Sequence, residues 1–135
     1  MSATAAAESF AAQGDRVSGD GRGVALGFLA FATIRDLNGA LERVEAADRD
    51  SGGLIFDTWH FYRGHPIPER LPLLPARRIF GVQLADADTE LQGPLEEDIL
   101  YRRFPGRARW TWPARCGNST GPGLRSESRC GTGRS

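Results

Sequence analysis

Ten residues near the middle of the chain, Gly52 to Phe61 (GGLIFDTWHF), place the tightest limit on its fold. Two glycines open a short apolar run that ends in a carboxylate, Asp57, with an imidazole, His60, three residues further on. Such a run shows no apolar/polar alternation, so as a strand it must be buried on both faces, which is the habit of parallel sheets. Asp57 and His60 then emerge at the strand's C-terminal end, where barrels of alternating strands and helices build their active sites. A carboxylate and an imidazole in that place suit a metal or proton-transfer site. They also suit ordinary loop chemistry, with Asp57 capping a turn and His60 packing.

The flanking segments extend the pattern. Residues 3–18 are Ala-rich, with Phe10 and Val17 seven apart, and predict a helix with a narrow apolar stripe. Residues 24–31 (VALGFLAF) predict a strand, weakened at its centre by Gly27. Asp36 is placed to cap a helix in which Leu37, Ala40, Leu41, Val44 and Ala47 recur at spacings of three and four. Beyond the central strand, FYRGHPIPERLPLLP carries Pro66, Pro68, Pro72 and Pro75, which leaves room for one or two helical turns and no long helix. Ile79 to Leu84 predict a third strand, again followed by polar groups at Gln83 and Asp86, and the acidic stretch from Thr89 to Asp98 predicts a loop or short helix. Strands joined by helical crossovers pair in parallel. The expected fold class is α/β.

Length and composition bound this further. A chain of 135 residues is at most one domain, whereas a complete (β/α)₈ barrel runs to about 250. If the chain is barrel material, it is part of one. All 17 basic residues are Arg, a bias that a GC-rich gene explains better than any structural demand. Residues 1–106 carry 11 Arg against 16 acids, and residues 107–135 carry 6 Arg against Glu127 alone, so a segment of charge −5 precedes one of +5. The basic segment has no Lys, no periodicity and no nucleic-acid motif, so no nucleic-acid partner is expected. No run approaches the roughly 20 apolar residues that span a bilayer, and no secretory signal opens the chain; a cytoplasmic protein with no membrane partner is expected. Cys116 and Cys130 have neither the spacing nor the His neighbours of a zinc site. Residues 107–135 contain one Leu, Ile or Val, Leu124, among Arg, Gly, Ser and Pro. They are expected to be a disordered tail, of the composition a GC-rich gene yields when translated out of frame.

FLAFATI, GGLIFDTWHFYR, RIFGVQLADA and RRFPG, in that order between about Glu8 and Gly106, resemble the sugar phosphate isomerase/epimerase family, the xylose-isomerase-like barrels. The resemblance implies a partial TIM barrel of about three parallel β/α units over residues 1–106, beginning near the family's fourth helix. It also implies a divalent metal (manganese, magnesium or cobalt) held by side chains from four successive strands, and a small sugar or polyol substrate that undergoes proton transfer next to a carbonyl. Asp57 falls on the second metal ligand and Gln83 on the third. His60 falls on an imidazole that contacts substrate, and Arg103 near an Arg that grips the substrate's polar groups. Gly27 stands where the family's strand carries a Glu, and the Glu of the last strand has no counterpart. The reaction needs two carboxylates flanking the reacting carbon, and a hard dication loses affinity steeply as anionic ligands are removed. With one carboxylate of three, the chain as it stands is expected neither to bind the metal nor to catalyse. The alternatives are a dehydratase of a cyclic hydroxy acid such as 3-dehydroshikimate, whose enzymes carry a similar VQLADA strand, and a non-catalytic pseudogene product or subunit fragment. Self-association through exposed sheet edges is expected for such a piece.

Overall fold

The structure is a computed structural model and describes residues 3–107. The expectations for Cys116, Cys130 and the out-of-frame tail lie outside the described residues.

Helix α1 (Ala3–Ser18) leads into β1 (Val24–Gly27), α2 (Leu37–Ala47), β2 (Gly52–Asp57), the short α3 (Thr58–Arg63), β3 (Ile79–Gln83) and one turn of helix, α4 (Leu95–Asp98). Two 3₁₀ turns, Pro68–Leu73 and Ala76–Arg78, occupy the proline-rich segment, and a third, Ile99–Tyr101, follows α4. The strands form one parallel sheet in the order β1-β2-β3. This is the α/β partial barrel that the sequence predicts.

Local chemistry sets the boundaries. Asp36 sits in extended backbone and accepts a hydrogen bond from the Gly39 amide at 2.8 Å, which starts α2 as a side-chain cap should. Asp48 ends α2 in the left-handed region, φ 47°. The paired glycines of β2 have a packing reason. Successive strand residues face opposite sides, and a Cβ on Gly52 would stand 2.9 Å from the Phe10 ring, while one on Gly53 would stand 2.4 to 2.6 Å from three atoms of the Phe80 ring. Each face of the strand's entry is thus covered by an aromatic ring lying directly on backbone.

The main core lies between the sheet and helices α1 and α2. Phe10, Phe28, Leu37, Ala40, Val44, Ala47, Leu54, Phe56 and Phe61 are buried together there. A smaller cluster of Ala30, Trp59 and Ala87 packs beyond the strands' C-terminal ends, with Leu95 and Ile99 against it. At the opposite end, the buried Arg78 guanidinium donates to the carbonyls of Arg49 and Gly52, at 3.0 Å for the latter, and ties the entry of β3 to that of β2.

Two sequence expectations need correction. The strand predicted over residues 24–31 ends at Gly27. Beyond it the chain turns back on itself, with the Leu29 amide bonded to the Ile34 carbonyl and the Ala32 amide to the Leu29 carbonyl. The run stays apolar because Phe28 enters the main core and Ala30 the second cluster. The third strand likewise ends at Gln83, leaving Leu84 exposed. Among the described residues, no helix is long and apolar enough to cross a membrane.

Candidate functional site

The parallel register sets Asp57 directly beside Gln83 across β2 and β3, and Gly27 beside Ile55 across β1 and β2. Because partners in register share a face, Gly27, Ile55, Asp57 and Gln83 occupy one face of the sheet at its C-terminal end. A Cβ added at Gly27 would meet nothing within 4 Å.

Asp57 is the last residue of β2 and the N-cap of α3. Its Oδ1 accepts from the His60 amide at 3.0 Å, so the turn-capping role is realised in full. Its Oδ2 is held by Arg102 Nη1, also at 3.0 Å. Both oxygens of a carboxylate only 6% exposed are therefore engaged. Arg102 lies on the face of Trp59, its guanidinium carbon 5.2 Å from the ring centre. Sequence reasoning did not single out Arg102.

His60 is buried, and its Nδ1 accepts from the Ala30 amide at 3.1 Å. The neutral ring therefore carries its proton on Nε2. Burial pushes the imidazole pKa below its ordinary value; the nearby Asp57 charge opposes this, and the Arg102 charge adds to it. The edges of Phe31 and Trp59 meet the ring, at centroid distances of 5.7 and 4.9 Å. Gln83 ends β3 with an exposed side chain.

Arg103 is not brought to this group. It forms an exposed ion pair with Asp88 at 2.6 Å, while its backbone makes an isolated antiparallel bridge with Asp86. Adjacent residues of extended chain face opposite ways, so the bridge that sends Arg103 outward sends Arg102 to Asp57. The returning loop is held by two further contacts. The Thr58 hydroxyl donates to the Ala85 carbonyl at 2.7 Å and accepts from the Ala85 amide at 2.8 Å. Arg63, at the end of α3, pairs with the buried Asp98 of α4 at 2.7 Å.

The donor set does not fit a divalent metal. Asp57 is the one carboxylate of the group, both its oxygens already accept hydrogen bonds, one of them from a cation, and position 27 offers no ligand. Among the described residues, no three His, Cys, Asp or Glu side chains lie close enough together to hold an ion.

No family model matches the chain. Curated relatives include the 3-dehydroshikimate dehydratase of Pseudomonas aeruginosa, 36% identical over 89 residues that make up 64% of this chain and 14% of that protein. The enzyme of the same name from Pseudomonas putida is 33% identical over the same length and shares. The chain thus spans about one seventh of the curated relatives it matches. Similar solved structures include a xylose isomerase-like TIM barrel/4-hydroxyphenylpyruvate dioxygenase fusion protein, with a TM-score of 0.69 and 25% identity, covering 78% of this chain and 17% of that one. Another is the IolI protein, solved with a bound zinc atom, with a TM-score of 0.69 and 26% identity over 77% of this chain and 37% of that one. With its three parallel strands in this register, the chain has the fold of part of a xylose isomerase-like TIM barrel.

Proposed function

We propose that the chain corresponds to a segment of a 3-dehydroshikimate dehydratase-like enzyme, and that its own strand-end site is catalytically silent. The curated relatives support the first half, since both carry the name 3-dehydroshikimate dehydratase and match 64% of this chain. The observation that carries the second half is the engagement of Asp57 by His60 and Arg102 beside an empty position 27. Elimination of a hydroxyl next to a ketone begins with removal of the proton between them, and that step requires a carboxylate or imidazole free to accept it. Asp57 is not free. His60 gives its Nδ1 to a backbone amide, which leaves Nε2–H as a donor to a substrate oxygen rather than a base. Gln83 offers an amide for a substrate hydroxyl at the same strand end. These residues bind and orient a hydroxylated acid; they do not take its proton.

The isomerases of the same barrel class share the first proton-removal step and differ in the later ones, so substrate turnover separates the two readings. The matching stretch of the P. aeruginosa dehydratase is replaced by the corresponding residues of this chain, with and without Gly27→Glu. The expected outcome is no turnover without the substitution and formation of the aromatic dehydration product from 3-dehydroshikimate with it, monitored by ultraviolet absorbance. Turnover without the substitution refutes the silent site. A folded chimera carrying Gly27→Glu that isomerises a ketose and leaves 3-dehydroshikimate intact refutes the dehydratase assignment.

A further inference from the structure

The residues in the family's metal positions do not fit a divalent ion, and the structure shows a different cation beside them. Arg102 Nη1 lies 3.0 Å from Asp57 Oδ2, and the guanidinium rests on the face of the fully buried Trp59. Its side chain is 30% exposed and Asp57 is 6% exposed, so the pair stands in partial exclusion of water, where a charge-assisted bond is strong. The Asp86–Arg103 bridge and the Arg63–Asp98 pair fix the loop that delivers it.

We propose that Arg102 is the resident cation of this strand end: its guanidinium supplies the positive charge that a metal ion would otherwise bring to Asp57, and it excludes a metal from that carboxylate. Arginine suits the role. The guanidinium is permanently charged, planar enough to lie on an indole, and weakly hydrated, so it tolerates partial burial better than an ammonium. It leaves Asp57 oriented as the cap of α3. A dication and a guanidinium at one carboxylate oxygen repel each other, so the presence of one weakens the binding of the other. The inference goes beyond the dehydratase reading, since it concerns which cation neutralises Asp57 and not which reaction the barrel performs.

The test uses the full chain and manganese alone as the probe, read by the paramagnetic resonance of free Mn²⁺ and by urea unfolding. In the Gly27→Glu background, Arg102→Met is expected to tighten Mn²⁺ binding at least tenfold, whereas Arg102→Lys, which keeps the charge, is expected to leave it within about threefold. Arg102→Met is also expected to lower the unfolding midpoint in chelator and to regain it in Mn²⁺, while chelator leaves the unsubstituted chain unchanged. Equal Mn²⁺ affinity with Arg102 or Met at position 102 overturns the proposal, as does a chelator-sensitive midpoint in the unsubstituted chain. Should Arg102→Met not fold, Arg102→Lys carries the test, and a tenfold gain in Mn²⁺ affinity with lysine overturns the proposal. None of these outcomes reads turnover, so the dehydratase assignment stands or falls separately.

Discussion

Removing the charge of Asp98 is expected to be among the most damaging single changes to this fold. Arg63 and Asp98 are paired at 2.7 Å with side chains only 8% and 1% exposed. Asp98 also receives the Gln92 amide at 2.7 Å, while Arg63 donates to the Asp88 carbonyl at 2.8 Å. Taking one partner from a buried pair strands the other charge, at a cost of about 3–5 kcal/mol. Asp98→Asn keeps the shape and an acceptor for Gln92, and Arg63 keeps a carbonyl, so the lower end, about 3 kcal/mol, is expected. Small domains have a total stability of about 5–15 kcal/mol. With a urea slope of about 1.5 kcal/mol per molar, the midpoint falls by about 2 M at fixed protein concentration. Arg63→Met combined with Asp98→Leu is expected to recover most of this, because an apolar pair of similar volume removes both stranded charges. A midpoint shift below about 0.3 M for Asp98→Asn refutes the reasoning and gives the pair the weight of a surface contact.

Gly53→Ala drives a methyl group into the Phe80 ring and is expected to cost about 1–3 kcal/mol in urea unfolding, with most of it regained when Phe80→Ala is added. Burial lowers the His60 pKa, so the unfolded chain takes up that proton first. The stability from neutral His60 is whole above the unfolded value of about pH 6.5 and is lost as pH falls from there through the lower folded value; unfolding midpoints at pH 8 and pH 5 measure it, and His60→Gln flattens the difference. Among the described residues the outer edges of β1 and β3 have no partner strand, and Phe80, Val82 and Leu84 are exposed, so light scattering is expected to show self-association. A sharp monomer at tens of micromolar contradicts that expectation.

Helices α1 and α2 were legible from their periodicity and from Asp36, and β2 from its unbroken apolar run, because each is settled by residues within its own segment. The true end of β1 was not. Phe28 to Phe31 are as apolar as a strand requires, and the chain leaves the sheet because of distant partners, among them His60, which takes the Ala30 amide. The sequence allows a helical turn only from Phe61 onward, whereas α3 begins at Thr58. Thr58, Trp59, Phe61 and Tyr62 are poor helix formers, although Asp57 before them and Gly64 after them were a cap and a stop that could have marked it. At the site, Asp57 and Gln83 were found because strand ends in register bring such residues side by side. Between Arg102 and Arg103 the sequence offered no choice, since the facing of neighbours in extended chain depends on a bridge to Asp86 that only the folded loop defines.

The open space at Gly27 bears on how such a site decays through evolution. Among the described residues a side chain at that position has no packing partner at its Cβ, so its loss costs little beyond the backbone freedom that glycine brings, and selection for a stable protein is nearly blind to it. Asp57 is in the opposite situation. It caps a helix and anchors an arginine, so selection for the fold holds it in place whatever its chemistry. A carboxylate that the architecture also uses therefore outlasts one that it does not, and an acid at a strand end is by itself a record of structural employment, not of activity.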